Sequence, residues 1–315
     1  EPKPYTVVTV FAGRADRIPV LAGYLRILLD QGKVDQIHFW DFSETVEDRR
    51  ASKLEAAKLG ALFMEPSAQT NRSRFASYYD FYAESFLPPE RVDPDRVVIV
   101  KADDDVVFVD TDRFQDFIST AANRTDMFLV HANIVNSGVA SFYQQQHGAI
   151  RNLSLEYPAA DGRPGQAPLL STGTILGNLE KAVALHRQFL DHPEAFRWEG
   201  KCIAFHHPDA KRFWWQGRFS INFMAARLPV WSTVWDFARQ ATGDGHGAMS
   251  DEVMLTEVAT KAGLKECMVP FFNVAHLSFE SQRSMDGVVL PWYRTLLADR
   301  VHLNGTKRNE GKEQK

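Results

Sequence analysis

The chain has 315 residues, of which 44% are hydrophobic and 24% are charged, and its formal net charge is −4. This composition is that of a globular protein with a sizeable core, in one large or two small domains. The slight negative charge gives no support for nucleic-acid binding, and no segment approaches the roughly 18 consecutive apolar residues of a membrane-spanning helix. With only Cys202 and Cys267, the chain is not a disulfide-rich scaffold, although a single disulfide stays open.

The first hundred residues alternate between predicted strands and helices. Strands are expected in four apolar, β-branched or aromatic segments: residues 5–11, 34–42, 61–64 and 97–100. Helices are expected between them, at residues 18–29, 47–59 and 75–86. Such alternation predicts parallel βαβ units, and therefore an α/β fold with a mixed, mostly parallel sheet flanked by helices in a single domain.

The rest of the chain continues both element types. Further helices are expected at residues 111–122, 179–190 and 250–262. Further strands are expected at residues 127–132, 172–176, 219–225 and 267–275. Residues 141–167, which contain several prolines and glycines, are expected to form an irregular loop.

The most informative stretch is VVIVKADDDVVF, residues 97–108, where three adjacent aspartates separate two apolar runs. Ligands of open α/β sheets bind beyond the carboxyl ends of the strands, which is where Asp103, Asp104 and Asp105 lie. In an extended backbone, Asp103 and Asp105 would face one side and Asp104 the other. Two such carboxylates are tolerated best around Mg²⁺ or Mn²⁺, with substrate phosphates completing the shell. The alternative is a solvated acidic turn.

The segment KADDDVVFV resembles the DXD motif of GT-A glycosyltransferases, and it is closest in wording to the K-x-DDDVFV segment of the β1,3-galactosyl- and N-acetylglucosaminyltransferases. The close sequence similarity is limited to this segment. Elsewhere the chain resembles these enzymes in the order and type of its sequence features. It implies a GT-A (Rossmann-like) fold in which the acids hold Mn²⁺ or Mg²⁺ on the diphosphate of a nucleotide-sugar donor. It also implies a donor-binding half (residues 1–132), an acceptor-binding and catalytic half (133–303) and a flexible tail (304–315).

The same resemblance places further residues at the donor. They follow early strands or adjoin the expected sugar pocket: Gly13, Arg14, Arg17, Asp41, Arg72, Arg74, Asp103, Asp104 and Gly173. Gly13 permits close approach of the backbone, and the arginines could bind phosphate or could simply be surface charges. Asp41 is expected near the ribose or base. Gly173 would leave room for a hexose, or could mark a strand bulge.

Two later segments supply catalytic and metal-binding candidates. SDEVML is similar to the acidic helix start that provides the base of inverting GT-A enzymes, which makes Glu252 the predicted base and Asp251 the second choice. Acids in a first helical turn also stabilise the helix dipole without any catalytic role. His276 follows a strand, as does the late metal-binding histidine of many GT-A enzymes, so the predicted metal ligands are Asp103, Asp105 and His276.

The predicted function is therefore metal-dependent transfer of a sugar from a nucleotide diphosphate sugar, most simply a UDP-sugar, to a hydroxyl acceptor on a glycan or glycoconjugate. A sugar nucleotidyltransferase and a non-catalytic glycan-binding domain are the alternatives. The tryptophans at 214, 215, 231 and 235 form either an acceptor platform or core. Four Asn-x-Ser/Thr triplets, where composition alone gives roughly one or two, favour a secretory-pathway (Golgi or ER) lumen. A membrane anchor could lie outside this sequence.

Overall fold

A single sheet runs through the molecule and carries most of its apolar segments. The computed structural model describes residues 3–66, 74–153, 178–204, 219–241 and 251–313. The strands within these ranges are β1 (Tyr5–Ala12), β2 (Gln36–Asp41), β3 (Leu62–Met64), β4 (Val97–Asp103), β5 (Val106–Val109), β6 (Leu129–Val135), β7 (Ile203–Ala204), β8 (Phe223–Arg227) and β9 (Glu266–His276). They are paired in the order β3-β2-β1-β4-β8-β6-β9-β5, with β7 also paired to β9.

Helices connect the strands and cover the sheet. They are α1 (Ile18–Asp30), α2 (Val46–Leu59), α3 (Arg74–Asp80), α4 (Phe114–Asn123), α5 (Gly138–Gln146), α6 (Leu179–Asp191), α7 (Trp231–Ala241), α8 (Asp251–Val253), α9 (Ala259–Lys261) and α10 (Asp286–Glu313). A π-helical segment, Met254–Val258, joins α8 to α9.

The central strand β4 is apolar from Val97 to Val100 because both faces of the sheet are covered. Val98 and Val100 belong to one buried cluster, while Val97 and Ile99 belong to a second cluster on the opposite face. All four side chains are fully buried. Burial of each such side chain stabilises the fold by about 1.5–3 kcal/mol, which explains the continuous apolar run.

The strand directions bring several carboxyl ends to one edge of the sheet. The long ladders β1–β2, β1–β4 and β6–β9 are parallel. β8 is antiparallel to both β4 and β6, so β4 and β6 run in the same direction. The carboxyl ends of β1, β2, β4, β6 and β9 therefore meet at the same edge, together with the start of β8. The predicted mixed, mostly parallel α/β sheet flanked by helices is confirmed.

Some elements differ from the sequence-based expectation. Residues 138–146 form the helix α5, whereas an irregular loop was expected from residue 141. The expectation was wrong because this polar helix lacks the apolar periodicity by which a helix is predicted. The helical backbone of α10 extends through residue 313, where a flexible tail was expected from residue 304. The strand expected at residues 172–176 lies outside the described residues.

The two cysteines form a disulfide between the segment preceding β7 and the start of β9. Cys202 and Cys267 are 65 residues apart in sequence, and their Cα atoms are 5.6 Å apart. Structural disulfides are typical of proteins that fold in an oxidising compartment. Among the helices of the described residues, none has the length and apolar character needed to cross a membrane.

Candidate functional site

A cavity of about 470 Å³ opens at the edge of the sheet where β1, β4 and β9 end. Both predicted halves of the chain contribute side chains to it. Its described lining consists of Phe11, Gly13, Arg14, Phe42, Glu44, Asp48, Phe75, Lys101, Asp103, Asp104, Asp105, Ile221, Asn222, Asp251, Glu252, His276, Ser278, Phe279, Glu280 and Arg283.

The three consecutive aspartates sit at the centre of this lining, in a different arrangement from the expected one. β4 ends at Asp103, and Asp104 and Asp105 form the turn that leads into β5. Nη2 of Arg14 lies 2.6 Å from Asp104 Oδ1 and 2.9 Å from Asp105 Oδ2. The expected strand-like alternation is therefore wrong, because the turn directs the last two carboxylates toward one guanidinium.

Asp104 anchors the loop between β1 and α1. Its Oδ2 accepts a hydrogen bond from the backbone N–H of Gly13 at 2.6 Å, and only 2% of the residue is exposed. A Cβ atom on Gly13 would lie 3.1 Å from the carbonyl oxygen of Phe42 and 3.3 Å from Asp104 Oδ2. The close approach predicted for Gly13 is thus an approach to an acidic side chain of the same protein. Donor contact by Gly13 or Asp104 stays a prediction.

Asp105 is surrounded by positive or protonatable groups. Besides Arg14, His276 Nε2 lies 3.2 Å from Asp105 Oδ2, and Arg17 Nη1 lies 3.8 Å from the same oxygen. Burial alone would raise the pKa of the Asp105 carboxyl, but His276, Arg14 and Arg17 outweigh it and lower the pKa below its usual range. Asp105 is therefore a carboxylate anion at neutral pH.

Two of the three predicted metal ligands meet in this arrangement. Asp105 and His276 touch, and each keeps a buried atom without a hydrogen-bond partner among the described residues, Oδ1 and Nδ1 respectively. A carboxylate oxygen and an imidazole nitrogen suit Mn²⁺, and such ions often take few protein ligands when substrate phosphates complete the shell. Nowhere in the described ranges do three or more His, Cys, Asp or Glu side chains group as a metal site. The fold thus brings two of the predicted ligands together, and Asp103 is not part of this group.

Asp103 is instead held by two residues that sequence reasoning missed. Lys101 Nζ donates to its Oδ1 at 2.5 Å, and Asn222 Nδ2 donates to its Oδ2 at 2.9 Å. Burial raises the pKa of the Asp103 carboxyl, while Lys101 opposes this rise. A signal for Lys101 was present in the sequence, since it is the one charged residue that interrupts the apolar run before Asp103 and lies two positions before that residue, on the same face.

The acidic helix start also lines the cavity, through Asp251 and Glu252. Tyr79 donates its hydroxyl to Asp251 Oδ2 at 2.9 Å, and the N–H of Glu252 donates to Asp251 Oδ1 at 3.0 Å. Burial, and after it the neighbouring Asp251, raises the pKa of the Tyr79 hydroxyl well above its ordinary value, so that it remains a proton donor. Both oxygens of Asp251 thus have partners within the protein, and both acids line the cavity.

An aromatic cluster forms a further part of the wall. The ring centroids of Phe11 and Phe42 are 4.6 Å apart, and those of Phe42 and Phe75 are 4.9 Å apart. Trp231 and Trp235 are buried in the core at 1% and 4% exposure, so they offer no acceptor platform. Trp214 and Trp215 lie outside the described residues.

The remaining predicted donor residues fall elsewhere. Arg17 is buried behind Asp105 and pairs with Asp286 at the start of α10. Asp41 accepts from the N–H of Ser43 and pairs with a guanidinium of α2 at 3.1 Å, and it does not line the cavity. Arg74 begins α3, but its side chain is outside the described part of the chain. Arg72 and Gly173, two further predicted donor contacts, also lie outside the described residues.

Comparison with protein-family models gives no match, and comparison with curated proteins gives none either. Among solved structures, the chain is similar to glucosyl-3-phosphoglycerate synthase from Mycobacterium tuberculosis with Mn²⁺, UDP and glucosyl-3-phosphoglycerate, at 12% identity and a TM-score of 0.43 over 92% of this chain and 78% of that chain. The same protein with Mn²⁺, UDP and phosphoglyceric acid matches at 12% identity and a TM-score of 0.42, over 94% of this chain and 78% of that chain. A mycobacterial protein matches at 13% identity and a TM-score of 0.41, over 92% of this chain and 73% of that chain.

Proposed function

We propose that the protein is a metal-dependent glycosyltransferase that transfers a sugar from a nucleotide diphosphate sugar, most simply a UDP-sugar, to a hydroxyl group of a glycan or glycoconjugate. One observation carries the proposal: the acidic segment that resembles a DXD motif and the acidic helix start line the same cavity. Asp103, Asp104 and Asp105 come from the first segment, and Asp251 and Glu252 come from the second. A donor-binding segment and a base would thereby share one site.

The donor half of the site has the groups that a nucleotide diphosphate requires. The phenylalanine cluster around Phe11 offers an apolar wall to the nucleotide base, and Asp103 offers oriented acceptors to hydroxyl groups. Arg14, 35% of whose side chain is exposed in the cavity, is the candidate for a phosphate contact. Asp105 and His276 would hold a divalent metal, which, when bound, would stabilise the charge that develops on the leaving diphosphate.

Glu252 is the proposed base. Its carboxylate would take the proton of the acceptor hydroxyl while that oxygen bonds to the anomeric carbon of the donor sugar. The bond between the anomeric carbon and the diphosphate oxygen breaks in the same step, and the electron pair leaves with the nucleotide. Attack opposite the leaving group inverts the anomeric configuration. Asp251, whose two oxygens accept from Tyr79 and from the Glu252 N–H, would hold the helix start in place.

Calorimetric titration with UDP, in the presence and absence of Mn²⁺, tests the proposal. We expect binding that requires Mn²⁺ and that is lost in Asp105→Ala. Asp110→Ala is the matched control, because Asp110 is an equally buried acid that pairs with Arg197 at 2.8 Å and does not line the cavity. Release of UDP from a panel of UDP-sugars with glycan acceptors then measures transfer. Absence of UDP binding under both conditions would refute the proposal.

A further inference from the structure

The carboxylate of Asp103 is clamped from both sides. Lys101 holds Oδ1 at 2.5 Å, and Asn222 holds Oδ2 at 2.9 Å. Only 19% of the Asp103 side chain is exposed, and it lines the cavity. An ionised carboxylate has about four acceptor sites, so two bonds leave acceptor capacity on both oxygens. The clamp therefore fixes the plane of the carboxylate without saturating it.

Lys101 is an unusual residue for its place in the fold. It is 1% exposed in a strand whose other residues, up to Asp103, are apolar. A buried ammonium is unfavourable unless it is paired, and replacing a buried ion pair by apolar residues is often neutral or stabilising. Stability alone thus does not explain a lysine at this position, whereas its contacts do. Besides its bond to Asp103, Lys101 Nζ donates to the carbonyl oxygen of Ile221 at 3.2 Å and lies 4.2 Å from the ring centroid of Phe11.

These contacts join two parts of the cavity wall through one ammonium group. Phe11 belongs to the aromatic cluster, and Asp103 is the first acid of the acidic segment; both line the cavity. They are also direct partners in the β1–β4 ladder. Lys101 is thus placed to keep the apolar wall and the acceptor carboxylate in a fixed relation to each other.

Asn222 completes the clamp from the turn immediately before β8. Its carbonyl oxygen accepts the N–H of Asp103 at 2.9 Å, which fixes the two backbones, and its Oδ1 accepts a hydrogen bond from the hydroxyl of Ser220. An ionised carboxylate can only accept hydrogen bonds, so the amide NH₂ is the end that faces Asp103, and Ser220 donates to the amide oxygen. The orientation of the side-chain amide is therefore set by the protein itself.

We infer that Lys101 and Asn222 are positioning residues for the nucleotide-sugar donor, which act by holding the Asp103 carboxylate as an oriented acceptor for donor hydroxyl groups. This inference rests on the proposed function. Neither residue touches the reacting atoms in this scheme, so both contribute to donor binding and little to the chemical step.

Steady-state kinetics and UDP calorimetry on the full chain test the inference. In Lys101→Met and in Asn222→Ala, the donor KM and the Kd for UDP should rise by on the order of 10-fold, the worth of a hydrogen bond to a charged group, with kcat nearly unchanged. In the Asp103→Asn background, Lys101→Met should have little further effect on either constant, because the two residues act as one unit. Lys101→Arg, which retains the charge, should recover part of the affinity.

Lys33→Met is the control, because Lys33 Nζ also bonds a backbone carbonyl, that of Thr111, and lies away from the cavity. It should leave the Kd for UDP unchanged. Asn222 is half-buried, so Asn222→Ala reports on the clamp even where Lys101→Met fails to fold. If wild type binds no UDP, the proposed function and this inference both fall. If wild type binds UDP and the clamp variants bind it equally well, or if the effects of Lys101→Met and Asp103→Asn simply add, this inference alone is wrong.

Discussion

Reduction of the Cys202–Cys267 disulfide opens a long covalent loop that contributes part of the candidate site. The two cysteines are 65 residues apart, and the segment between them contains Asn222, Asp251 and Glu252. In the chain-entropy treatment, closing a loop of this length removes about 4 kcal/mol of conformational freedom from the denatured state at 25 °C. We therefore expect reduction to lower the free energy of unfolding by about this amount.

The assay is urea unfolding of the oxidised and reduced protein, followed by fluorescence. The double variant Cys202→Ala/Cys267→Ala is the control, because the reductant should not change its unfolding curve. UDP affinity in the absence of urea should change little on reduction. Cys267 lies at the start of β9 and His276 at its end, so the disulfide and the cavity occupy opposite edges of the sheet.

Two results would refute this reasoning. A loss of stability below about 1 kcal/mol would mean that the denatured chain is already restricted without the disulfide. A large loss of UDP affinity in reduced protein that is still folded would show that the disulfide positions the site, contrary to the separation seen along β9.

Three further predictions address the base, the loop and the pH response. Glu252→Gln should lower kcat by about 10²–10⁴ with little change in the Kd for UDP, measured by initial rates and calorimetry, and full activity would exclude Glu252 as base. Gly13→Ala should cost about 1–3 kcal/mol in urea unfolding, because its Cβ would crowd Phe42 and Asp104; an unchanged midpoint would mean that the loop yields freely. Burial lowers the pKa of His38 to about 4, so the unfolded chain takes up this proton first as the pH falls. Stability should drop by about 3 kcal/mol between pH 6.5 and 4, and His38→Gln should show a smaller drop in urea titrations at both pH values.

The fold followed from the sequence wherever the hydrophobic pattern was strong. The segments around β1, α1, β4 and β9 combine apolar side chains with clear periodicity or length, and their positions were predicted to within a few residues. α5 was missed because its stability comes from tertiary contacts. In particular, the buried Gln144 donates to Asn133 at 2.8 Å, a bond that no local pattern encodes.

The site was predictable only in part, for a geometric reason. The sequence placed Asp103 and Asp105 at a strand end and His276 after a later strand, and the sheet directions bring Asp105 and His276 together. The roles of the individual acids depended on where the strand ended. Because β4 ends at Asp103, the next two residues turn toward Arg14, while Asp103 stays with Lys101. The end of β4 thus separates a clamped acid, Asp103, from a candidate metal ligand two positions later, Asp105.

The charge of the cavity determines which form of a nucleotide it can accept. Its described lining carries eight carboxyl groups against the three permanent cations Arg14, Lys101 and Arg283. Burial raises the pKa of Asp104 to about 7, so this group is partly protonated at neutral pH, and the acids still outnumber the cations. Lys101 already pairs with Asp103, and Arg14 pairs with Asp104 and Asp105. A free diphosphate is polyanionic, so the surplus of acids in the cavity would repel it. The low dielectric of the buried walls strengthens this repulsion. A divalent cation between the acids and the phosphates reverses the sign of that interaction, because it is attracted to both. The surplus of acids therefore favours a metal–diphosphate complex over the free nucleotide, and metal dependence of UDP binding is the property of this site that its charge most directly predicts.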